Sequence, residues 1–390
     1  MSFNKLTIVI WIILQLGPLG ALFAQGSWYS YTTENSIMVD HQVNKVFIVD
    51  DLKWIGTNWG LYTFDNIQWI DYSSYLPHPQ VRSINQDNNG VLYVSTLGGV
   101  AMYDGVSWSS FTPQNSILPG HINEVVFDEN NIGYIGTING LFLLENGLIS
   151  LLLDSSSLEP NFVNVRCLQM KGDSLCIGTI NGGLAYYYNG SIEWYNTNNG
   201  LNDNSSIDLL FLDQNLWIAA PYGGLISHLS SGNFLTFNTG IFNDWPSNSL
   251  NCLFEDNGLL FVGSNEGGFF SFSYQNGIHN TELYNSTNSG LINDNVLSIT
   301  KDNSGYWIGT QGGLVHWNPI SAIEEITKNI SVNVIDNTML LNAPCDLIIY
   351  SLDGKMIVNK QKIQSLSLSN LSKGYYVAEI NQNKQLFFIP

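Results

Sequence analysis

The chain contains the octapeptide Trp307-Ile308-Gly309-Thr310-Gln311-Gly312-Gly313-Leu314, and six related blocks precede it. In each block an aromatic or apolar residue, Ile or Val, a small residue and usually Thr lead into a glycine and an apolar residue. The blocks begin at Trp54, Tyr93, Tyr134, Cys176, Trp217, Phe261 and Trp307. A period of about 40 to 45 residues, rich in glycine and aromatics, is typical of four-stranded propeller blades. The sequence therefore predicts an all-β fold with a seven-bladed β-propeller.

The second repeat illustrates the four strands of one blade. Val81 and Ile84 begin the first strand, 92–96 form the second, 100–103 the third and 108–111 the fourth. Short runs rich in Val, Ile, Tyr, Phe and Trp, separated by Gly, Asn and Asp, predict strands joined by tight turns.

The two ends of the repeat region predict how the ring closes. Trp28-Tyr29-Ser30-Tyr31-Thr32 precedes the first full repeat and matches the fourth strands of later blades, whereas the seventh blade stops after its third strand at Trp317. We expect residues 27–33 to pair with 314–317, because this pairing covers two sheet edges that would otherwise promote aggregation.

An aspartate recurs after the first strand of six blades. The positions are Asp50, Asp87, Asp128, Asp213, Asp256 and Asp302, and Lys171 replaces it in the fourth blade. An Asp carboxylate can accept the backbone amides of its own turn. We therefore interpret these residues as turn caps and not as metal ligands.

Length and composition divide the 390 residues into four regions. Lys5, the apolar run 6–16 and the small residues near Ala24 predict a signal peptide at 1–24. A propeller at 27–319, a linker at 320–329 and a C-terminal domain at 330–390 follow. No later stretch reaches the length of a spanning helix, so we expect a mature chain without a transmembrane helix.

Charge changes where the repeats stop. Residues 27–327 contain six Lys and Arg against 28 Asp and Glu, a net charge of -22, whereas 328–390 carry +2. Such an acidic propeller repels nucleic acid and anionic lipid, so neither is an expected partner.

The four cysteines do not form a recognisable disulfide framework. Cys167 and Cys176 lie on adjacent strands across a short turn, which leaves a cross-strand disulfide open, although buried free thiols are favoured. His41, His78 and His121 precede the first strands of three consecutive blades. They lack a carboxylate or cysteine at ligand spacing, so we predict no metal site and no cofactor.

The blades resemble the two-component regulator propeller repeat, which Asp302-Asn303-Ser304-Gly305 and the following Trp307 to Leu314 block match almost throughout. Ala219-Ala220-Pro221 in the fifth blade departs from that pattern. In this family the repeats often form the periplasmic sensor of hybrid histidine kinases. The chain has no room for a kinase, so kinase function is not implied.

The last 60 residues resemble the type A C-terminal sorting domain of type IX secretion in Bacteroidota. The resemblance is carried by 348–358, with the Asp353-Gly354 turn, and by 366–377. Alternating apolar residues and the Asp353-Gly354 turn independently predict a small β-sandwich, and the resemblance implies that it is Ig-like. The resemblance implies a secreted or cell-surface protein that crosses the outer membrane through the type IX machinery.

The turns between second and third strands predict the binding site, since they surround the mouth of a propeller funnel. They contribute amides, a carboxylate and aromatic faces that suit a glycan or peptide. These candidate ligand-binding residues are Asn58, Trp59, Asn139, Asn181, Tyr222, Glu266 and Gln311.

Three functions remain open from the sequence. We expect a surface-displayed protein that binds a glycan or protein ligand without catalysis, because no catalytic constellation is recognisable. The first alternative is an accessory component of the type IX secretion and attachment machinery, which the combination of regulator-type propeller and sorting domain also resembles. The second is a propeller polysaccharide lyase or hydrolase, which would need paired acids or a base at the funnel.

Overall fold

The computed structural model describes residues 26–154, 164–243, 245–275, 278–319, 332–335, 338–351, 355–372, 374–380 and 383–389. The predicted signal peptide at 1–24 and the predicted linker at 320–329 lie outside these ranges.

Seven four-stranded antiparallel sheets form the blades of a propeller. One 3-10 turn, Ser73–Tyr75, accompanies them in the described residues. Their strands are β1 (Ser27–Tyr31), β2 (Val43–Val49), β3 (Leu52–Thr57), β4 (Gly60–Phe64), β5 (Trp69–Asp71), β6 (Val81–Gln86), β7 (Leu92–Thr96), β8 (Gly99–Tyr103), β9 (Trp108–Phe111), β10 (Ile122–Phe127), β11 (Gly133–Thr137), β12 (Gly140–Glu145), β13 (Leu148–Leu153), β14 (Val165–Lys171), β15 (Ser174–Thr179), β16 (Leu184–Tyr188), β17 (Ser191–Tyr195), β18 (Asp208–Leu212), β19 (Asn215–Ala220), β20 (Gly224–His228), β21 (Phe234–Phe237), β22 (Leu250–Asp256), β23 (Leu259–Ser264), β24 (Phe269–Gln275), β25 (Ile278–Tyr284), β26 (Val296–Asp302), β27 (Gly305–Thr310) and β28 (Gly313–Asn318).

The first strands of the seven blades form the inner wall of the ring. Each packs against the first strands of the two adjacent blades, and β2 contacts both β6 and β26, so the circle is complete. The predicted seven-bladed propeller is confirmed, and the second blade has the four strands expected from its sequence.

The N-terminal strand completes the seventh blade, as the sequence predicts. Its sheet has the order β1-β28-β27-β26. Trp28 lies opposite Trp317 in the register, and their rings stack with centroids 5.1 Å apart. The edge of β28 is therefore covered by a strand from the other end of the repeat region.

Apolar clusters between neighbouring blades hold the ring together. Trp54 and Leu61 of the first blade pack with Val81 and Ile84 of the second in one such cluster. A Cβ atom on Gly56 would lie 2.4 Å from Cγ1 of Val81. The small residue in each repeat block therefore stands where one blade meets the next.

The recurring aspartates cap their own turns in three of the blades. Asp87 accepts hydrogen bonds from the amides of Asn89 and Val91. Asp128 accepts them from the equivalent amides, of Asn130 and Ile132, and Asp302 accepts one from the Ser304 amide. Asp256 differs from the prediction. One of its oxygens accepts hydrogen bonds from Lys301 and Tyr306 of the next blade, because those donors reach across the interface.

The C-terminal region is a separate five-stranded β-structure. Its strands are β29 (Val332–Ile335), β30 (Thr338–Ser351), β31 (Met356–Ser367), β32 (Gly374–Ile380) and β33 (Asn383–Ile389). Strand β30 pairs with β29, β31 and β32, and Met339, Leu347, Ile349 and Tyr376 are buried in its core. The predicted turn at Asp353-Gly354 lies outside the described residues, although the strands on either side pair as expected.

Candidate functional site

A channel follows the axis of the propeller, and all seven blades contribute to its wall. The lining residues come from the first half of the first strands or the residue before them, and they surround a cavity of about 70 Å³ that opens to solvent. Five of them carry charge: Lys45, Arg82, Glu124, Arg166 and Asp208. The channel is therefore polar, in contrast to the apolar interfaces between blades.

A bulge near the beginning of the first strand explains the high density of polar groups. In blade 1 the register passes directly from Val43 to Lys45 and skips Asn44, and five other blades have the same irregularity. A bulge sets two residues against one on the partner strand, which re-aims side chains locally. As a result Asn44 and Lys45, although adjacent in sequence, both line the channel.

Asparagine side chains at the bulge join neighbouring blades. Asn44 Nδ2 donates to the Val81 carbonyl at 2.8 Å, Asn123 Nδ2 to the Val165 carbonyl at 2.7 Å and Asn251 Nδ2 to the Val296 carbonyl at 3.0 Å. These amides satisfy the first backbone carbonyl of the next first strand. They fix the rim of the channel.

A second set of contacts between blades comes from the residue after the bulge in blades 3 and 7, and from Asp208 in blade 5, whose register has no bulge. Glu124 Oε2 accepts the Leu168 amide at 2.8 Å, and Asp208 Oδ2 accepts the Leu253 amide at 2.8 Å. Ser298 Oγ accepts the Val46 amide at 3.1 Å. Both channel carboxylates are thus engaged with backbone of the following blade.

Burial raises the pKa of the Glu124 carboxyl and of the Asp208 carboxyl. The positive charges of Lys45 and Arg166 and the hydrogen bonds from backbone amides act in the opposite direction without cancelling the effect. Desolvation disfavours the charged form of an acid. These two carboxylates therefore carry an electrostatic cost at neutral pH.

Three basic groups lie together on the blade 2 to blade 4 side of the channel. Burial lowers the pKa of Arg82 to about 10, and the charge of Arg166 adds to this effect. Burial also lowers the pKa of His121, as do the charges of Arg82, Arg166 and His78. Arg82 Nε and His121 Nε2 are buried and have no hydrogen-bond partner among the described residues. The three residues Arg82, His121 and Arg166 are called the basic cluster below.

The seven residues predicted from the sequence all lie in turns between second and third strands, and none lines the channel cavity. These turns are on the face where the channel begins, since Asn58 Oδ1 accepts a hydrogen bond from Asn44. Gln311 Oε1 similarly accepts one from Asn295, at 3.3 Å. Asn58 and Gln311 are therefore connected to the rim.

The other predicted residues are spread around the rim. Trp59 is 62% exposed and Tyr222 is 80% exposed, but they belong to blades 1 and 5 and are not adjacent. Asn139 is exposed, and Asn181 and Glu266 occupy left-handed turn positions with φ of 65° and 70°. These residues form a ring of separate contact points, without a common cavity.

Sequence reasoning missed the charged channel residues. Arg82, Glu124 and Arg166 occupy the two positions after the first apolar residue of the first strand. Aligning the repeats on this apolar residue would have placed them on the axis, because first strands form the inner wall. The pattern was hidden because the residue type at these positions differs from blade to blade.

The cysteines and histidines form no further site in the described residues. Cys167, Cys176 and Cys252 are buried free thiols, and the disulfide that the sequence left open is absent because Cys176 lies opposite Gln169 in the register. Within the described ranges, no three His, Cys, Asp or Glu side chains are grouped closely enough to hold a metal ion. Nor does the described part of the chain contain a helix with the length and hydrophobicity of a membrane span.

Comparisons with known proteins identify the C-terminal region. Residues 318–388 match the secretion system C-terminal sorting domain. A domain of this kind implies interaction with the secretion machinery and indicates export. A search of curated proteins by sequence gives no match.

Solved structures share the propeller fold. The extracellular domain of a putative hybrid two component system from B. thetaiotaomicron is 19% identical with a TM-score of 0.66, over 93% of this chain and 56% of that one. PorZ of Porphyromonas gingivalis, described as an essential bacterial surface component of the type-IX secretion system, is 12% identical with a TM-score of 0.57, over 90% of this chain and 59% of that one. Virginiamycin B lyase from Staphylococcus aureus is 12% identical with a TM-score of 0.56, over 75% of this chain and 98% of that one.

At these identities the likeness concerns the fold alone. The chain spans somewhat more than half of the first two structures. The resemblance of the blades to regulator propellers is confirmed at the level of the fold, and the match at 318–388 confirms the resemblance of the C-terminal region to a type IX sorting domain.

Proposed function

We propose that the protein is exported to the cell surface and there binds a glycan or peptide on the channel face of its propeller, without catalysis. Residues 27–319 form the binding unit and 330–390 the sorting unit. A signal peptide at 1–24 directs the chain into the export pathway.

The rim of the channel carries this proposal. Its turns present exposed aromatic rings, such as Trp59 and Tyr222, and side-chain amides, such as Asn139 and Asn181. The channel behind them is polar. Aromatic faces pack on sugar rings or apolar side chains, and amides both donate and accept hydrogen bonds. Their combination around one opening suits an uncharged polar ligand.

The channel carboxylates favour binding over hydrolysis. A glycosidase requires two carboxyl groups that act on the same bond. Glu124 and Asp208 are each hydrogen-bonded to the backbone of the next blade, which gives them a structural role.

A glycan and peptide array screen of the full exported chain tests the proposal. The Trp59→Ala/Tyr222→Ala variant should lose binding and keep its fold, because the hydrogen bonds of both residues use backbone atoms. The Trp59 amide donates to Thr57 Oγ1 and the Trp59 carbonyl accepts from the Tyr62 hydroxyl, and the Tyr222 amide donates to Asp203 Oδ2. The matched control is Ile67→Ala/Val106→Ala. It removes side chains that are 91% and 90% exposed, in the turns between third and fourth strands on the opposite face. Equal loss in both variants, or no binding by the wild type, would refute the proposal.

A role as an accessory of the secretion machinery is the second candidate. Its support is that the likeness to PorZ extends over 90% of this chain. Under this candidate, deletion of the protein in its host would stop the export of other proteins that carry the same sorting domain. Under the first proposal their export would be unchanged.

A further inference from the structure

The cations of the propeller fall into two groups of three, since Lys45, Arg82 and Arg166 line the channel and the other three do not. Residues 27–327 contain six Lys and Arg against 28 acids. Three lysines away from the axis have partners. Lys53 pairs with Asp302 at 2.7 Å, Lys301 pairs with Asp256 at 2.7 Å, and Lys171 donates to the Gln214 carbonyl at 3.0 Å.

Arg82 and Arg166 are different, because neither makes an ion pair with a described residue. A guanidinium has five donors and no acceptor, and burying a charge without a partner is costly. Arg82 Nε is nevertheless buried and unpaired. The two arginines also repel each other, which contributes to the lowered pKa of Arg82.

The channel acids compensate for only part of this charge, because the favourable interactions of Glu124 and Asp208 are with Lys45 and Arg166 and not with Arg82. Glu124 accepts the Leu168 amide, and Asp208 accepts the amides of Leu209 and Leu253. The channel lining thus holds two guanidiniums and Lys45 beside one opening, with only two described carboxylates against these three cations, although residues 27–327 contain 28 carboxylates. An external anion would satisfy these donors.

We propose that the basic cluster binds the single carboxylate of an acidic sugar, such as a hexuronic acid, within an otherwise uncharged glycan. This inference rests on the proposed function and names the ligand class for the same face. The two arginines both line the channel and supply charge-assisted hydrogen bonds in the fork geometry that matches a carboxylate.

The net charge of the channel lining favours a ligand with a single negative charge. Lys45, Arg82 and Arg166 face Glu124 and Asp208, so the lining carries one excess positive charge at neutral pH. A monoanion neutralises this excess, whereas a phosphate dianion overcompensates it. The net charge of -22 over residues 27–327 also repels polyanions at long range.

The rim favours a sugar as the carrier of the carboxylate. The amides of Asn44 and Asn58 lie at the mouth, and Trp59 is exposed on the turn that carries Asn58. Stacking on an aromatic ring and hydrogen bonds to amides are contacts that hydroxyl-rich sugars make.

Calorimetric titration and thermal melting of the full exported chain test the proposal. The probes are glucuronate, glucose as its uncharged counterpart, and inorganic phosphate. Glucuronate should bind and raise the melting temperature, while glucose and phosphate should bind at least about tenfold more weakly, in line with hydrogen bonds to charged groups. Arg82→Gln and Arg166→Gln should each weaken glucuronate binding about tenfold or more.

Lys171→Gln is the matched control, because it removes the same charge from an exposed lysine outside the channel and should leave binding unchanged. The unliganded melting temperature gives an independent readout. Removing the buried, unpaired charge of Arg82 should leave it unchanged or raise it, whereas a marked fall in Arg82→Gln would show that Arg82 has a structural role, and would overturn the proposal.

The remaining outcomes separate this inference from the proposed function. Equal binding of glucuronate and glucose, unaffected by either arginine variant, would overturn the carboxylate site and leave glycan binding intact. Preference for a peptide with a free C-terminal carboxylate over glucuronate would overturn the sugar assignment. Failure of every glycan and peptide in the array would refute both.

Discussion

Lys53 of the first blade and Asp302 of the seventh form an ion pair of 2.7 Å, with side chains that are 0% and 3% exposed. The Lys53 ammonium also donates to the Asp51 carbonyl and to Asn66 Oδ1, so three acceptors surround its three donors. It lies 4.9 Å from the centroid of the Trp307 ring. A fully satisfied buried cation thus bridges the two blades that meet where the ring closes.

Asp302→Asn should destabilise the protein by about 3 to 5 kcal/mol, because it leaves the buried Lys53 charge without its counterion. Lys53→Met/Asp302→Asn should cost less than the sum of the two single changes. Urea unfolding of the four proteins measures this coupling. Lys301→Met serves as the comparison, since the side chains of Lys301 and Asp256 are 34% and 20% exposed and such pairs contribute about 1 kcal/mol or less. Additive losses at Lys53 and Asp302 would contradict the expected coupling.

Glu124→Gln should raise the melting temperature at pH 7. Burial raises the pKa of Glu124 in the folded protein, so its ionised form costs stability above that pKa. As the pH falls from the raised value towards the ordinary value of about 4.3, the folded state takes up the proton first and the cost disappears. The advantage of the variant should therefore shrink on acidification. Melting curves between pH 4 and 8 measure it, and a pH-independent difference would argue against this origin.

Asp302 should show the opposite pH dependence. Burial acts to raise the pKa of this carboxyl, but hydrogen bonds from Lys53 and Ser304 outweigh burial and lower it. Its stabilisation is therefore present above the unfolded pKa of about 3.9 and is lost as the pH falls through the lower folded value. Comparing wild type and Asp302→Asn by urea unfolding at several pH values should show the largest difference at neutral pH, with convergence in acid.

Deletion of residues 27–33 should yield a protein that forms oligomers, because the edge of β28 becomes an unpaired template. Trp28→Ala should cost about 3 kcal/mol, since Trp28 stacks on Trp317 and packs with the buried cluster around it. Size-exclusion chromatography and urea unfolding measure the two effects.

Tyr29→Ala is the control on the same strand, because Tyr29 is 61% exposed, and it should change stability little. A synthetic peptide of residues 26–33 should restore the monomer of the deletion variant. A deletion variant that stays monomeric without the peptide would contradict the role of β1.

Gly56→Ala should destabilise the protein by about 1 to 3 kcal/mol through overpacking, because the added methyl group would meet Val81 of the next blade. Val81→Ala removes the Cγ1 methyl group at 2.4 Å but keeps the Cβ atom at 2.8 Å, so the double variant should recover part of the loss. Thermal unfolding of both single variants and the double variant measures the coupling. Losses that simply add would show that backbone strain, and not contact with Val81, causes the effect.

Much of the fold could be predicted from the sequence because its signals are local and repeated. Strand β7 was recognisable from residues 92–96, and the pairing of 27–33 with 314–317 followed from one surplus and one missing strand. Each inference needed only the period of the pattern and the avoidance of open sheet edges. Both were confirmed.

The channel could not be predicted in the same way. Its charged residues acquire their meaning from their position around an axis, which no single repeat contains. The contact between Glu124 and the Leu168 amide joins groups 44 positions apart and depends on the bulge that turns both bulge residues inward. Likewise Asp256 was expected to cap its own turn, but Lys301 reaches it from the next blade. Contacts that depend on the angle between blades do not leave a periodic trace.

The position of β28 determines how the propeller bears mechanical load. The chain leaves the ring at Asn318, the last residue of β28, and β28 lies between β1 and β27. A force applied through the following residues pulls β28 along its own length, against hydrogen bonds that lie across the strand on both sides. These bonds are loaded in shear and share the force, whereas an edge strand would be peeled off one bond at a time. A tether at the C-terminal end would therefore pull on one of the most firmly held strands of the ring.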